Sequence, residues 1–377
     1  MAKIRHILQI FLLVLFCGCT STSVERGIEE DTGKQETEKE PEKESENEEE
    51  PASDVFIIDN KRFNISTTKT NARSTTDSIN AAIRKAKSEG FEKIKLTKGE
   101  YLISSKGNDR WGYPKDGIFV PSNTILDLTD ATLILEPNDN EIYNMLIIEQ
   151  AQNVTIIGGH LIGDRETHTY GTGSHEWGFG VRIICSQNIT IKEMTIEGMT
   201  GDAIILSLYG SITGNEDNAC RNVSISGCKL HNCRRQGISV IHASDVEISG
   251  NTIYNIHGTA PQFGIDIEPE VNYGCFARKI SIHNNHISDC VGGISFHGGT
   301  DMEAHSNTIE GICLIAVYAQ RVDIYNNTVT SPGYISAGKG SDKRPCQDIC
   351  IPTEGERKNN CNTIVNQSIQ TGNYTCK

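Results

Sequence analysis

Residues 222–256 read NVSISGCKLHNCRRQGISVIHASDVEISGNTIYNI, and the first twelve residues of this stretch return, altered but aligned, as the last twelve. Ile225 and Ile248 hold one position. Cys228 and Asn251 follow three residues later, and Leu230 and Ile253 two beyond that. The same frame recurs outward in both directions, in NVTIIGGHLIGD (153–164), NITIKEMTIEGM (188–199), KISIHNNHISDC (279–290) and VDIYNNTVTS (322–331). Self-similarity at a spacing of roughly 20–35 residues is the mark of a solenoid, in which each repeat buries its apolar face only against its neighbours.

A second apolar alternation follows each copy: GVRII (180–184), AIILS (203–207), GISVI (237–241), GIDIE (264–268), GISFH (293–297) and LIAVY (314–318). Strand alternation sends Ile238, Ile265, Ile294 and Ile315 inward, followed by Val240, Ile267, Phe296 and Val317. The expected fold is therefore all-β, a right-handed parallel β-helix, with a β-sandwich as the alternative. Asn251, Asn285, Asn307 and Asn327 are expected to stack as an amide ladder at one bend. Ahead of the repeats, TDSINAAIRKAKS (76–88) predicts a short capping helix over 76–88 with Ile79, Ala82, Ile83 and Ala86 on its apolar face, stopped by Gly90.

The N-terminus reads differently. Lys3 and Arg5 precede an apolar run from Ile7 to Phe16 and then Gly18-Cys19, the pattern of an export leader of the lipoprotein type, residues 1–19. Residues 20–54 carry 14 acidic and 4 basic residues and almost no large apolar ones, as an unfolded acidic tether would. The chain's formal charge is −14; without this tether and the basic leader, about −6 remains on the repeat domain, residues 55–377. No basic face is evident, which argues against nucleic acid as a partner. Expected instead is a monomer outside the cytoplasm, touching a membrane only through a lipid anchor at the outer membrane, cell surface or periplasm.

Thirteen cysteines in an exported chain suggest disulfides. The repeat frame competes with that reading, because Cys233 and Cys290 fall where Met199 and Ile256 stand in other coils. They read as small core residues. Cys346, Cys350, Cys361 and Cys376 lie beyond the clear repeats, where bridges are more readily placed.

These features together resemble a known group. The segments DSINAAIRKAKSEGFEKIKLTKGEYLI (77–103), GIFVPSNTILDLTDATLILEPND (117–139), SHEWGFGVRI (174–183) and GTAPQFGIDIEPE (258–270) are similar to pectate-lyase-like β-helix proteins, which include polysaccharide lyases and phage tail-spike depolymerases. The resemblance spans residues 54–330 and implies an acidic polysaccharide as substrate: a glycosaminoglycan, pectin or alginate. The aspartate pairs and Gly-His-Gly of polygalacturonase-type hydrolases are missing, since Gly201-Asp202 is followed by Ala-Ile.

Across consecutive coils, one outward column of the second strand should read Arg182, Ile205, Ser239, Asp266, Ser295 and Ala316, and the next Ile184, Ser207, Ile241, Glu268, His297 and Tyr318. With coils about 4.8 Å apart, Asp266, Glu268, His297 and Tyr318 should share one patch. β-Elimination next to a uronate carboxylate needs a cation, a base and a proton donor. Arg234 and Arg235 can grip the carboxylate, His257 or His297 can act as base, and Tyr318 or Tyr209 as donor. Asp266, Glu268 and Glu270 at alternate positions suit calcium. His168, His175 and Trp177, on a long loop that also carries Glu176 and is expected to wall the cleft, and Asp202 and Gln236 are expected to bind substrate. A hydrolase using Asp266 and Glu268, and a non-catalytic glycan-binding protein, are the competing readings.

Overall fold

The computed structural model describes residues 54–105, 117–209, 212–310, 314–316 and 319–330, with short strands further on at Ile335–Ala337, Arg357–Asn359, Asn362–Val365 and Ser368–Gln370. Each coil gives one strand to each of three sheets. Cys220–Ser226 lies in sheet A, Lys229–His231 in sheet B and Gln236–Val240 in sheet C. The next coil repeats this with Ala243–Ser249, Thr252–Ile256 and Phe263–Ile267. Strands pair in parallel with their counterparts one coil away, Ile225 on Ile248 and Leu230 on Ile253. Parallel pairing between coils excludes the sandwich, whose sheets are antiparallel.

Each residue placed in the buried columns of sheets A and B by the sequence is in the core. Ile156, Ile191, Ile225, Ile248, Ile282 and Ile324 are fully buried, as are Leu161, Ile196, Leu230, Ile253, Ile287 and Val329. The turn between these sheets is two residues long, and its first residue has a left-handed backbone: 64° at Gly250 and 56° at Asn284. Glycine and asparagine tolerate that conformation, which explains their place in the repeat. The second turn residue forms the ladder. The backbone N–H and the side-chain amide of Asn251 both donate to Asn285 Oδ1 at 3.0 Å. Asn285 repeats this with Asn307, and Asn307 with Asn327. A second, exposed ladder of Asn123, Asn153, Asn188 and Asn222 runs along another corner and was not evident in the sequence frame.

The capping helix is longer than expected, Ala72–Ser88, beginning after Asn71 rather than at Thr76. Thr76 is buried and bonds back to the Ala72 carbonyl, an interior rather than a capping role. Ile79, Ala82, Ile83 and Ala86 form the buried face, and Gly90 follows with φ 86°.

Cys233 and Cys290 are buried core residues with free thiols, as are Cys220 and Cys228. Burial pushes each of these thiols up, to about 12 for Cys220, Cys233 and Cys290 and to about 11 for Cys228. Such thiols are poor nucleophiles. Cys346, Cys350, Cys361 and Cys376 lie outside the described residues, as do the leader and all of the tether except Asp54.

One coil of sheet C is shifted by a residue from the expected register. Ser295 pairs with Ile315 and Phe296 with Ala316, and Leu314 takes the core position assigned to Ile315. The sequence LIAV is apolar at every position, so alternation has nothing to fix it. Val317 and Tyr318 lie outside the described residues.

Candidate active site

The outer face of sheet C carries the chemistry, and its strands do not alternate strictly. A Cβ on Gly237 would lie 2.6 Å from Ile253 Cγ2, and one on Gly264 would lie 2.5 Å from Ile287 Cγ2. These positions therefore point into the core, as do Ile238 and Ile265 directly after them. Two successive inward residues break the period of two, as in a bulge. The break turns Asp202 and Gln236 outward, where they register against each other, in line with the column Ile205, Ser239 and Asp266.

At the centre is Arg235, whose side chain is 12% exposed. Its Nη1 donates to both carboxylate oxygens of Asp202, at 3.3 and 3.1 Å, and its Nη2 to both of Glu268, at 2.9 and 3.1 Å. Its Nε lies 3.9 Å from Glu176 Oε2. Ser239 Oγ gives Asp202 a further bond at 2.9 Å. Gln236 receives the Phe263 N–H on its carbonyl oxygen at 3.0 Å, which fixes the amide so that Nε2 donates to Asp266 Oδ2 at 2.7 Å. Asp266 Oδ1 and the nearby Ser295 Oγ are buried without a hydrogen-bond partner, and His297 Nε2 stands 3.9 Å from that oxygen.

The electrostatics separate these acids into two layers. Asp202 and Asp266 have fully buried side chains, while Glu176 and Glu268 keep 26% and 21% exposure. Burial raises the Asp202 carboxyl to about 6, with Glu268 adding to the rise and Arg235 and Ser239 opposing it. Asp266 is raised well above the usual carboxylate range, again by burial first and by Glu268 second. Burial works against the charge on Arg235, but Asp202 and Glu268 outweigh it and hold the guanidinium protonated. His297 is shifted down by burial and is neutral near neutral pH.

Of the residues singled out from sequence, Arg235, Gln236, Asp202, Asp266, Glu268 and His297 meet here. The others do not. Arg234 instead donates to the Ser174 and His175 carbonyls at 2.6 and 3.0 Å and lies over the Tyr170 ring. It braces a loop and does not join the carboxylate cluster. His257 is partly exposed and pairs with Asp289 at 3.0 Å, following a strand of sheet B. His168 and His175 are buried within the same loop: Asp164 holds His168 Nδ1 at 2.7 Å, and His168 Nε2 meets His175 Nδ1 at 2.9 Å. They shape the loop that delivers Glu176 and Trp177. Tyr318 lies outside the described residues.

Of the expected calcium ligands, Asp266 and Glu268 meet in the cluster and Glu270 does not join them. Glu268 is taken by Arg235 and Asp266 by Gln236, and Pro269 ends the strand so that Glu270 leads into the short 3-10 turn Val271–Tyr273. Among the described residues no group of three or more His, Cys, Asp or Glu is arranged to hold a metal ion.

The sequence places Glu176 on the loop walling the cleft without giving it a role, and it faces Arg235. Its neighbour Trp177 was the available signal, because one loop carries both. Trp177, 36% exposed, borders a cleft of about 350 Å³ that continues the carboxylate cluster across sheet C.

Fold and repeat together define the class: the chain is a right-handed parallel β-helix protein. The sequence profile of the right-handed β-helix region family matches residues 212–340. Uncharacterized protein YclG of Bacillus subtilis is 33% identical over 251 residues, 63% of this chain and 42% of that protein. A second B. subtilis protein, the SPbeta prophage-derived YorA, is 28% identical over 303 residues, 74% of this chain and 50% of the other. The chain thus spans half or less of the length of these relatives. Among solved structures, an exopolygalacturonase from Thermotoga maritima superposes with TM-score 0.54 at 14% identity, covering 76% of each chain. The tailspike protein of E. coli bacteriophage HK620, in complex with a pentasaccharide, superposes with TM-score 0.56 at 14% identity, covering 75% of this chain and 52% of its own. At that identity the likeness is one of fold. Polysaccharide-acting hydrolases and tailspikes share this fold.

Proposed function

We propose that the chain cleaves a polysaccharide by hydrolysis, with Glu268 and Glu176 as the acid–base pair. The observation that carries this reading is Arg235, a buried guanidinium whose nitrogens face Asp202, Glu268 and Glu176. A guanidinium so committed cannot also neutralise a uronate, which weighs against elimination. Glycoside hydrolysis needs one carboxyl to protonate the leaving oxygen and another to take a proton from water as the new C–O bond forms. Glu176 and Glu268 are the members with exposed side chains, the first facing Nε and the second Nη2 of the guanidinium. Asp202 and Asp266, buried behind them, set how many protons the cluster holds at a given pH. The exopolygalacturonase and the oligosaccharide-bound tailspike support a glycan as the substrate class. The leader and acidic tether support an exported, lipid-anchored location.

One observation favours β-elimination as a second reading. His297 is neutral, half exposed and within reach of the cluster, as a proton-abstracting base would be. A panel of neutral and uronic polysaccharides decides between the two. Hydrolysis yields new reducing ends without ultraviolet-absorbing unsaturated uronates, and Glu268→Gln and Glu176→Gln should each lower kcat by about 10²–10⁴-fold. Unsaturated products abolished by His297→Ala would replace hydrolysis with elimination.

A further inference from the structure

The cleft beside the carboxylates has a lining that the acid–base chemistry does not use. Its floor is Ile205 and Ile241, which flank Ser239 on the neighbouring coil and two residues along the same strand. Since Ser239 bonds Asp202 at 2.9 Å, the cleft floor begins about 4.8 Å away across to Ile205 and about 7 Å away along to Ile241. Trp177 continues it from Glu176, so cleft and cluster adjoin at two points.

Of the polar lining, Arg182, Ser207 and Tyr209 already have partners, and Glu270 adds one carboxylate. Arg182 Nε donates to Ser207 Oγ at 3.3 Å, and the Arg182 guanidinium lies over the Phe179 ring. The Tyr209 hydroxyl donates to Glu149. At the rim, Trp177, Ile212 and Tyr273 are 36%, 43% and 61% exposed, three of the few large apolar side chains that the described residues leave in water. Apolar exposure concentrated on one concave site marks a ligand surface.

We propose that this cleft is a subsite for a sugar carrying a methyl-terminated substituent, a 6-deoxy methyl or an acetyl group, placed next to the bond that is cleaved. The proposal rests on the glycan-cleaving reading in its placement but not in its affinity. A hydroxyl-only sugar would bury hydroxyls against isoleucine and aromatic carbon, and each unmatched one weakens binding. A methyl group fills the same space without that penalty. Discrimination of about 10-fold or more is what one methyl in an apolar pocket provides.

The test is binding to the full chain carrying Glu268→Gln, which removes turnover, followed by saturation-transfer NMR. The probes are L-fucose and N-acetyl-D-glucosamine against D-galactose, D-glucose and D-galacturonate. The expected result is at least about 10-fold tighter binding of the first two, with methyl signals strongest. Ile205→Thr, which keeps a β-branched side chain, should reduce that preference to about threefold or less while leaving the circular dichroism spectrum unchanged. Equal or tighter binding of the unsubstituted sugars or of galacturonate, a preference that survives Ile205→Thr, or no binding at all would overturn the subsite. Loss of the cleavage reading alone, with the binding preference intact, would leave the subsite standing.

Discussion

Asp202 is where two strong effects oppose each other, and its replacement by asparagine measures which one prevails. Burial raises its carboxyl, whereas Arg235 at 3.1 Å and Ser239 at 2.9 Å favour the ionised form. Burial wins, moving the pKa from 3.8 to about 6. The folded state therefore keeps this proton longer than the unfolded chain. The associated stability is complete below about pH 3.8 and is lost as pH rises through about 6. A shift of about 2 units, at about 1.36 kcal/mol each, corresponds to about 3 kcal/mol. Asparagine cannot titrate, so the difference in unfolding free energy between wild type and Asp202→Asn should shift against wild type by about 3 kcal/mol from about pH 4 to about pH 7.5. Asp266 titrates in both proteins and enters the difference only through the Arg235 and Glu268 it shares with Asp202. The loss of the Arg235 pairing adds an offset without changing the sign of the slope. Urea denaturation of both proteins across that range provides the data. A difference that is flat would refute the reasoning. So would one of opposite slope, which would mean that Arg235 outweighs burial and holds Asp202 below 3.8.

Three further outcomes follow from the geometry. Gly264→Val should destabilise by about 1–3 kcal/mol, because its side chain would collide with Ile287 and the Gly293 carbonyl; thermal melts check this, and an unchanged midpoint would contradict the inward bulge. Asn285→Ala should cost roughly 2–4 kcal/mol, since it removes the acceptor for both buried Asn251 donors and leaves Asn307 Oδ1 with only the backbone N–H of position 285; denaturant titration reads it, and a change below about 0.5 kcal/mol would count against the ladder. Treatment with a calcium chelator should leave kcat unchanged, because Arg235 and Gln236 already hold the carboxylates proposed for the ion; a loss restored by added calcium would show that those contacts yield to it.

Repeats carry the fold because a solenoid writes each contact many times. Ile225, Ile248 and Ile282 must be apolar and in one register for any coil to close, so the amino-acid sequence states the parallel β-helix, the core columns and the asparagine ladder directly. The outward column from Arg182 to Ser295 was legible for the same reason. Two things escaped that logic. Alternation fails where small residues turn inward, so the outward pointing of Asp202 and Gln236 depends on the close approach of Gly237 to Ile253. It also fails in LIAV, where an apolar run carries no register. The partners of side chains outside the repeat were decided only in three dimensions. Arg234 and Arg235 are adjacent and chemically identical, yet one caps a loop and the other is ringed by acids, because the folded loop presents the Ser174 and His175 carbonyls to the first, and Glu176 with the sheet C carboxylates to the second. The stretch from Arg234 to Glu268 determined by itself which face would carry charge. The tertiary structure decided which charges are buried together, and burial is what sets their protonation.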